Sequence, residues 1–149
     1  MPHPEGGFFK EVYRSHERIA EDALPERFGG GRVFSTAIYF LLTAGEFSRL
    51  HRIRQDEVWH FYDGDSLLLH RIRPDGEHVK HLVGRLGDAL PLAVVPAGDY
   101  FGAEVSGDGY SLVGCTVAPG FEFDDFEMPS RDEIYTQFRQ HAELIQRLT

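Results

Sequence analysis

The chain has 149 residues, 42% of them hydrophobic and 26% charged, with a formal net charge of −9 at pH 7. A chain of this length folds around one core, so a single domain over residues 1–149 is expected rather than two. No apolar run approaches the ~18 residues of a membrane span, and the acidic excess argues against nucleic acid as a partner, because duplex binding rests on Lys and Arg contacts to phosphates.

The opening MPHPEGGFFKEVYRS lacks the basic stretch and continuous apolar stretch of a secretory signal, so a cytoplasmic location is expected. Short apolar runs separated by single Gly and Pro residues then follow one another along the chain. That spacing is the signature of an all-β sandwich or barrel. The expected strands are residues 7–14, 33–42, 48–53, 57–62, 66–73, 78–83, 93–95, 100–105 and 110–118, rich in β-branched and aromatic side chains.

Between the first two strands, residues 20–32 contain Pro25 and Gly29-Gly30-Gly31, which reads as a mobile loop able to act as a lid. Asp63-Gly64-Asp65 and Pro74-Asp75-Gly76 each predict an antiparallel hairpin. Cys115 is the only cysteine, and its setting in SLVGCTV reads as an inert, buried strand position. The run Glu122-Phe123-Asp124-Asp125-Phe126-Glu127 reads as a solvated edge with its rings packed inward. One amphipathic helix closes the chain over about 131–148: Ile134, Phe138, His141, Ile145 and Leu148 recur at steps of three and four, and Ser130 with Glu133 forms a capping box.

The stretch from Gly45 to Gly64 carries the chemistry. Gly45, His51, Glu57 and Gly64 stand at the spacings Gly, five residues, His-x-His, three residues, Glu, six residues, Gly, with Ile53 at the second His position. Further on, Pro96-Ala97-Gly98-Asp99-Tyr100-Phe101 echoes Pro-x-Gly-x-x-His, with Phe101 in place of His. These two runs resemble the motifs of the cupin superfamily. The runs PHPEGGFFKEVYRS, DEVWHFYDGD, LGDALPLAVVPAG and GYSLVGCTVAPGFEFDDFEM extend the likeness to a branch of short, single-domain cupin-like proteins of unknown function. The resemblance implies an all-β double-stranded β-helix, or jelly-roll barrel, over about 7–128, followed by the helix. A shared fold does not transmit a reaction.

Metal-binding cupins converge three His and one Glu inside the barrel, of which this sequence retains His51 and Glu57. Two donors form an incomplete set for a divalent transition metal. Strand alternation carries Trp59 and Phe61 to the same side as Glu57 and turns His60 away, giving either plain core or a ligand platform. A carboxylate on an apolar strand is costly to bury, so Glu57 either meets a cation such as Arg49 or Arg52 or serves function. His51, in an arginine-rich stretch, is expected to be a neutral base. Tyr62, Tyr39 and Tyr100 are candidate proton donors or anchors, Arg49 and Phe101 candidate ligand contacts, and Glu5 and Tyr13 residues that reach the site if the first strand lies against the barrel. An isomerase, epimerase or lyase using His51, Glu57 and Tyr62 on a small polar or sugar-like substrate, a non-catalytic binding protein, and a metal-dependent oxidative enzyme are the readings left open. A homodimer is expected, because open sheet edges need cover.

Overall fold

Alternation of apolar and polar residues, broken by glycine-bearing turns, produces eleven strands in the computed structural model, which describes all 149 residues. They are β1 (Phe8–Arg14), β2 (Arg18–Ile19), β3 (Arg32–Val33), β4 (Thr36–Thr43), β5 (Phe47–His51), β6 (Asp56–Gly64), β7 (Leu67–Ile72), β8 (His78–Val83), β9 (Leu92–Val95), β10 (Tyr100–Val105) and β11 (Tyr110–Ala118). A five-stranded sheet runs in the order β1-β4-β11-β6-β9 and a four-stranded sheet in the order β5-β10-β7-β8; the pairings are antiparallel throughout. The two sheets face each other as a jelly roll, and the core between them is built on Phe40, Trp59, Leu69, Phe101 and Val113.

Two local expectations change. Pro74-Asp75-Gly76 does join a hairpin, β7 with β8. Asp63-Gly64-Asp65 does not, because β6 pairs with β11 and β9 while β7 pairs with β10 and β8. The turn instead carries the chain from one sheet to the other, and Gly64 (φ 92°) closes it where any Cβ would collide with the Tyr110 carbonyl oxygen.

The loop expected to be a lid over residues 20–32 is anchored. Arg18 and Ile19 pair with Val33 and Arg32, and Phe28 is buried. Arg32 donates from Nε and Nη2 to the two oxygens of Asp125 at 2.8 and 2.7 Å, and Gln55 Nε2 donates to the same carboxylate at 2.7 Å. This buried ion pair fastens the loop to the segment that follows β11.

The C-terminal helix is divided. α1 (Arg131–Gln137) starts at the Ser130–Glu133 capping box and stops at Phe138, whose φ −134° and ψ 58° are not helical; α2 (Ala142–Arg147) follows one 3₁₀ turn later. An unbroken helix of this length would run about 27 Å, longer than a four-stranded sheet is wide at ~4.8 Å per strand. The break folds Ile134, Phe138, Leu144, Ile145 and Leu148 back onto Leu50, Ile72 and Tyr100 on the outer face of the four-stranded sheet. His141 lies beside that cluster, its Nε2 donating to the Gly76 carbonyl at 2.7 Å. Neither helix is long and apolar enough to cross a membrane.

Removing one partner of a buried ion pair leaves the other uncompensated, at a cost of about 3–5 kcal/mol. Asp125→Ala is therefore expected to lower the unfolding free energy by about 3 kcal/mol in urea denaturation, with proteolysis beginning within residues 20–32.

Candidate active site

One end of the barrel stays hollow. A cavity of about 100 Å³ opens among β1, β4, β5, β6 and β11, the chain before β1 and the chain after β11. Ile38, Phe40, Ile53, Val117, Phe9 and the rings of Phe121, Phe123 and Phe126 form its apolar walls. Glu5, His3, His51, Glu57 and Cys115 bring the polar atoms, with Glu11, Arg14 and Glu122 also on the lining.

His51 ends β5 and faces inward, its ring 4.1 Å from that of Phe101 across the sheet. Its Nδ1 donates to the Arg49 carbonyl at 2.6 Å, and its Nε2 stands 3.1 Å from Glu5 Oε2. Glu5 also accepts from Ser48 Oγ at 2.8 Å and lies 3.3 Å from His3 Nδ1. With Nδ1 donating to the backbone carbonyl, Nε2 is the ring nitrogen turned to the Glu5 carboxylate. Burial raises the Glu5 carboxyl, but His51, His3 and Ser48 outweigh it and hold the group below its ordinary value. Burial lowers His51 in turn, against the opposing pull of Glu5.

Glu5 reaches this position because the chain before β1 lies flat against the barrel. Gly6 and Gly7 have φ of 114° and 66°, and a Cβ on either would strike a backbone carbonyl, that of Phe47 or Leu41. The Glu5 carbonyl then accepts from the Arg49 N–H at 2.8 Å.

Glu57 is 8% exposed, inward on β6 beside Trp59 and Phe61. No arginine or lysine meets it, contrary to the pairing with Arg49 or Arg52 left open above: Arg52 pairs with Glu127 on the exterior. Burial, then the charge of Glu5, pushes the Glu57 carboxyl up to about 8, against the opposing effect of the Cys115 thiol beside it. At neutral pH it is a carboxylic acid, able to donate a hydrogen bond. The Cys115 thiol is itself pushed well up by burial and by Glu57, which removes it as a nucleophile.

The other proposed contacts lie elsewhere. Tyr62 (41% exposed) and Tyr39 (46% exposed) project from the outer face of the five-stranded sheet, with ring centroids 5.7 Å apart, because strand alternation that turns Phe61 and Phe40 inward turns their neighbours outward. Tyr100 packs under the C-terminal helices, and its hydroxyl donates to Glu127. Trp59, Phe61 and Phe101 are core rather than cavity wall. Arg49 contributes backbone atoms alone to the Glu5–His51 arrangement. Tyr13 is exposed. The tail Glu122–Glu127, expected as a solvated edge with its rings packed inward, does turn Phe123 and Phe126 inward, and together with Phe121 and Glu122 they line the cavity, while Asp125 is buried rather than solvated; its alternation of acids and rings was the available signal. His3 was not singled out, and nothing in its local sequence marks it.

The fold's metal positions do not suit an ion. They carry His51, Ile53, Glu57 and Phe101; both nitrogens of His51 are engaged, and no three His, Cys, Asp or Glu side chains are grouped to share a cation.

A family model described as Cupin superfamily (DUF985) matches residues 1–129. A protein of known crystal structure from Shewanella oneidensis is 40% identical, with TM-score 0.88, covering all of this chain and 90% of its own. A hypothetical protein from Leishmania major is 34% identical, with TM-score 0.89, covering all of this chain and 92% of its own. Oxalate decarboxylase from Bacillus subtilis, 17% identical with TM-score 0.57 over 91% of this chain and 39% of its own, shares the fold alone. No functionally curated protein matches.

A carboxyl that folding keeps neutral penalises the folded state wherever the unfolded chain would ionise it. Stability is therefore expected to fall as pH rises from about 4.5 to about 8 and then to level off. Urea denaturation across that range should show the slope for the native protein and a flatter profile for Glu57→Gln.

Proposed function

This chain belongs to the DUF985 family of the cupin superfamily, and from that premise we propose that its cavity takes up a small molecule and moves a proton on it, as an isomerase does. The observation that carries the reading is the pairing of opposites on one buried wall. Glu57 holds a proton it can give, and the Glu5–His51 pair, held by Ser48 and His3, offers a carboxylate that can take one. Titratable groups pushed apart by their surroundings are how one site runs acid and base chemistry at the same pH.

On a carbonyl compound the step balances as follows. The Glu5–His51 pair removes the proton from the carbon beside the carbonyl, and the C–H electrons form a C=C bond. The carbonyl π electrons pass to oxygen, which takes the proton of Glu57. Return of the two protons, one to a different carbon or to the opposite face, completes an isomerisation or epimerisation. The apolar walls exclude water and strengthen both hydrogen bonds.

Deuterium exchange reads the step directly. Incubation of small enolisable ketones with the protein in D₂O is expected to deuterate the α-carbon, with Glu57→Gln and Glu5→Gln each slowing exchange by about 10²–10⁴-fold, the usual contribution of a positioned acid or base. A ligand that binds with no exchange would identify a non-catalytic binding protein instead.

We also propose that two copies pair through the outer face of the five-stranded sheet, in the cytoplasm. Phe8, Tyr39, Tyr62, Leu92 and Val94 are exposed on it, spread over four strands. At ~4.8 Å between strands and ~3.4 Å per residue the whole face measures on the order of 500 Å² in projection, the size of the apolar patches of a few hundred Å² that often mark interaction sites and below the ~800 Å² per partner of a standard interface. One patch meeting its own copy makes a two-fold pair. Light scattering should give twice the chain mass, and Tyr39→Glu with Tyr62→Glu should give the monomer; a native protein that is monomeric at micromolar concentration contradicts the pairing.

A further inference from the structure

The cavity holds no cation free to meet an anion. Arg14 is the one arginine or lysine on its lining. Its Nε and Nη2 donate to Glu11 at 2.9–3.2 Å, its Nη1 donates to Glu122 Oε1 at 3.0 Å, and Nη2 also donates to the Phe121 carbonyl at 3.2 Å. Two carboxylates thus surround one guanidinium, leaving this part of the lining acidic. Further in, Glu5 is met only by His3, His51 and Ser48, and Glu57 faces the cavity with no arginine or lysine opposite. An anion entering would lose its hydration and find carboxylates in return, which is costly.

The apolar part of the lining is equally selective. Phe9, Phe40, Phe121, Phe123 and Phe126 surround the space, and its volume of about 100 Å³ is of the order of an apolar cavity that takes up benzene, ~150 Å³. A nucleotide or a phosphorylated sugar does not fit such a volume.

We propose that the ligand of this cavity is an uncharged, largely apolar carbonyl compound about the size of a five- or six-membered ring, its carbonyl oxygen accepting from Glu57 and its hydrocarbon body lying among the phenylalanine rings. This rests on the proton-transfer reading for the role of the carbonyl, while the exclusion of anions follows from the charges alone. The apolar lining moves the substrate away from the polar or sugar-like class expected from the sequence.

The test compares three probes of one shape at pH 7: cyclopentanone, cyclopentanecarboxylate and cyclopentylammonium. Ligand-observed NMR titration is expected to show cyclopentanone binding about tenfold or more tightly than the carboxylate, the discrimination of one desolvated charge. Glu57→Gln, whose amide still donates, should retain ketone binding. Glu11→Gln combined with Glu122→Gln releases Arg14 and should raise carboxylate affinity relative to the ketone. Equal or tighter binding of the carboxylate or the ammonium by the native protein overturns the proposal, and so does binding of none of the three. Ketone binding without α-deuteration defeats the proton-transfer reading and leaves the ligand class standing; α-deuteration of a tightly bound carboxylate does the reverse.

Discussion

A carboxyl group without a cation, buried inside an apolar barrel, is the constraint around which the rest of this molecule is arranged. Glu57 could have been neutralised by an arginine, as the buried Asp99 and Asp125 are. Arg71 donates twice to Asp99 at 3.0 and 2.7 Å, and Arg32 donates to both oxygens of Asp125. Those pairs are bound further into their surroundings, Arg71 to His81 and the Val94 carbonyl, Arg32 to the Gly30 and Gly31 carbonyls and Asp125 to Gln55, and they hold loops and strands together. Glu57 meets only a thiol and a cavity. Burial without a partner keeps its proton on, and a neutral acid that can donate into an apolar space is of use only to something that enters that space.

The second polar group of the site depends on a segment that belongs to neither sheet. The chain before β1 brings His3 and Glu5 across the barrel end, and two glycines with positive φ let it lie close enough for Glu5 to reach Ser48 and His51. His51 is oriented from its other side by the Arg49 carbonyl. A histidine that would bind a metal in other cupins is here committed to a carboxylate and a backbone oxygen, and Phe101 fills the space where a further ligand would stand.

The roof of the cavity is made by residues that follow the last strand. Phe121, Phe123 and Phe126 turn inward, and the acids between them serve two ends: Glu122 holds Arg14, and Asp125 holds Arg32. The same short segment therefore closes the apolar wall, locks the loop after β2 and balances the one guanidinium on the lining. Its sequence of alternating rings and carboxylates is legible as an edge, since both kinds of residue are common there; its covering role follows from the direction in which it leaves the sheet.

Alternation along β6 by itself determined that Glu57, Trp59 and Phe61 share the inner face, because period-two patterns act locally, and the short apolar runs between turn residues marked an all-β chain; that it is a jelly roll was implied by the resemblance of the Gly45–Gly64 and Pro96–Phe101 runs to cupin motifs. The C-terminal capping box was equally readable. Only the tertiary structure decided that Trp59 and Phe61 are core, that Tyr39 and Tyr62 face outward, that the last helix breaks at Phe138, and that Asp63-Gly64-Asp65 crosses between sheets. It alone joined Glu5 to His51, 46 positions apart, and set Phe121–Phe126 over both. Periodicity fixes which side of a strand a residue occupies, while the depth of that side, and what segment from elsewhere in the chain covers it, depends on how the sheets and their flanking segments pack.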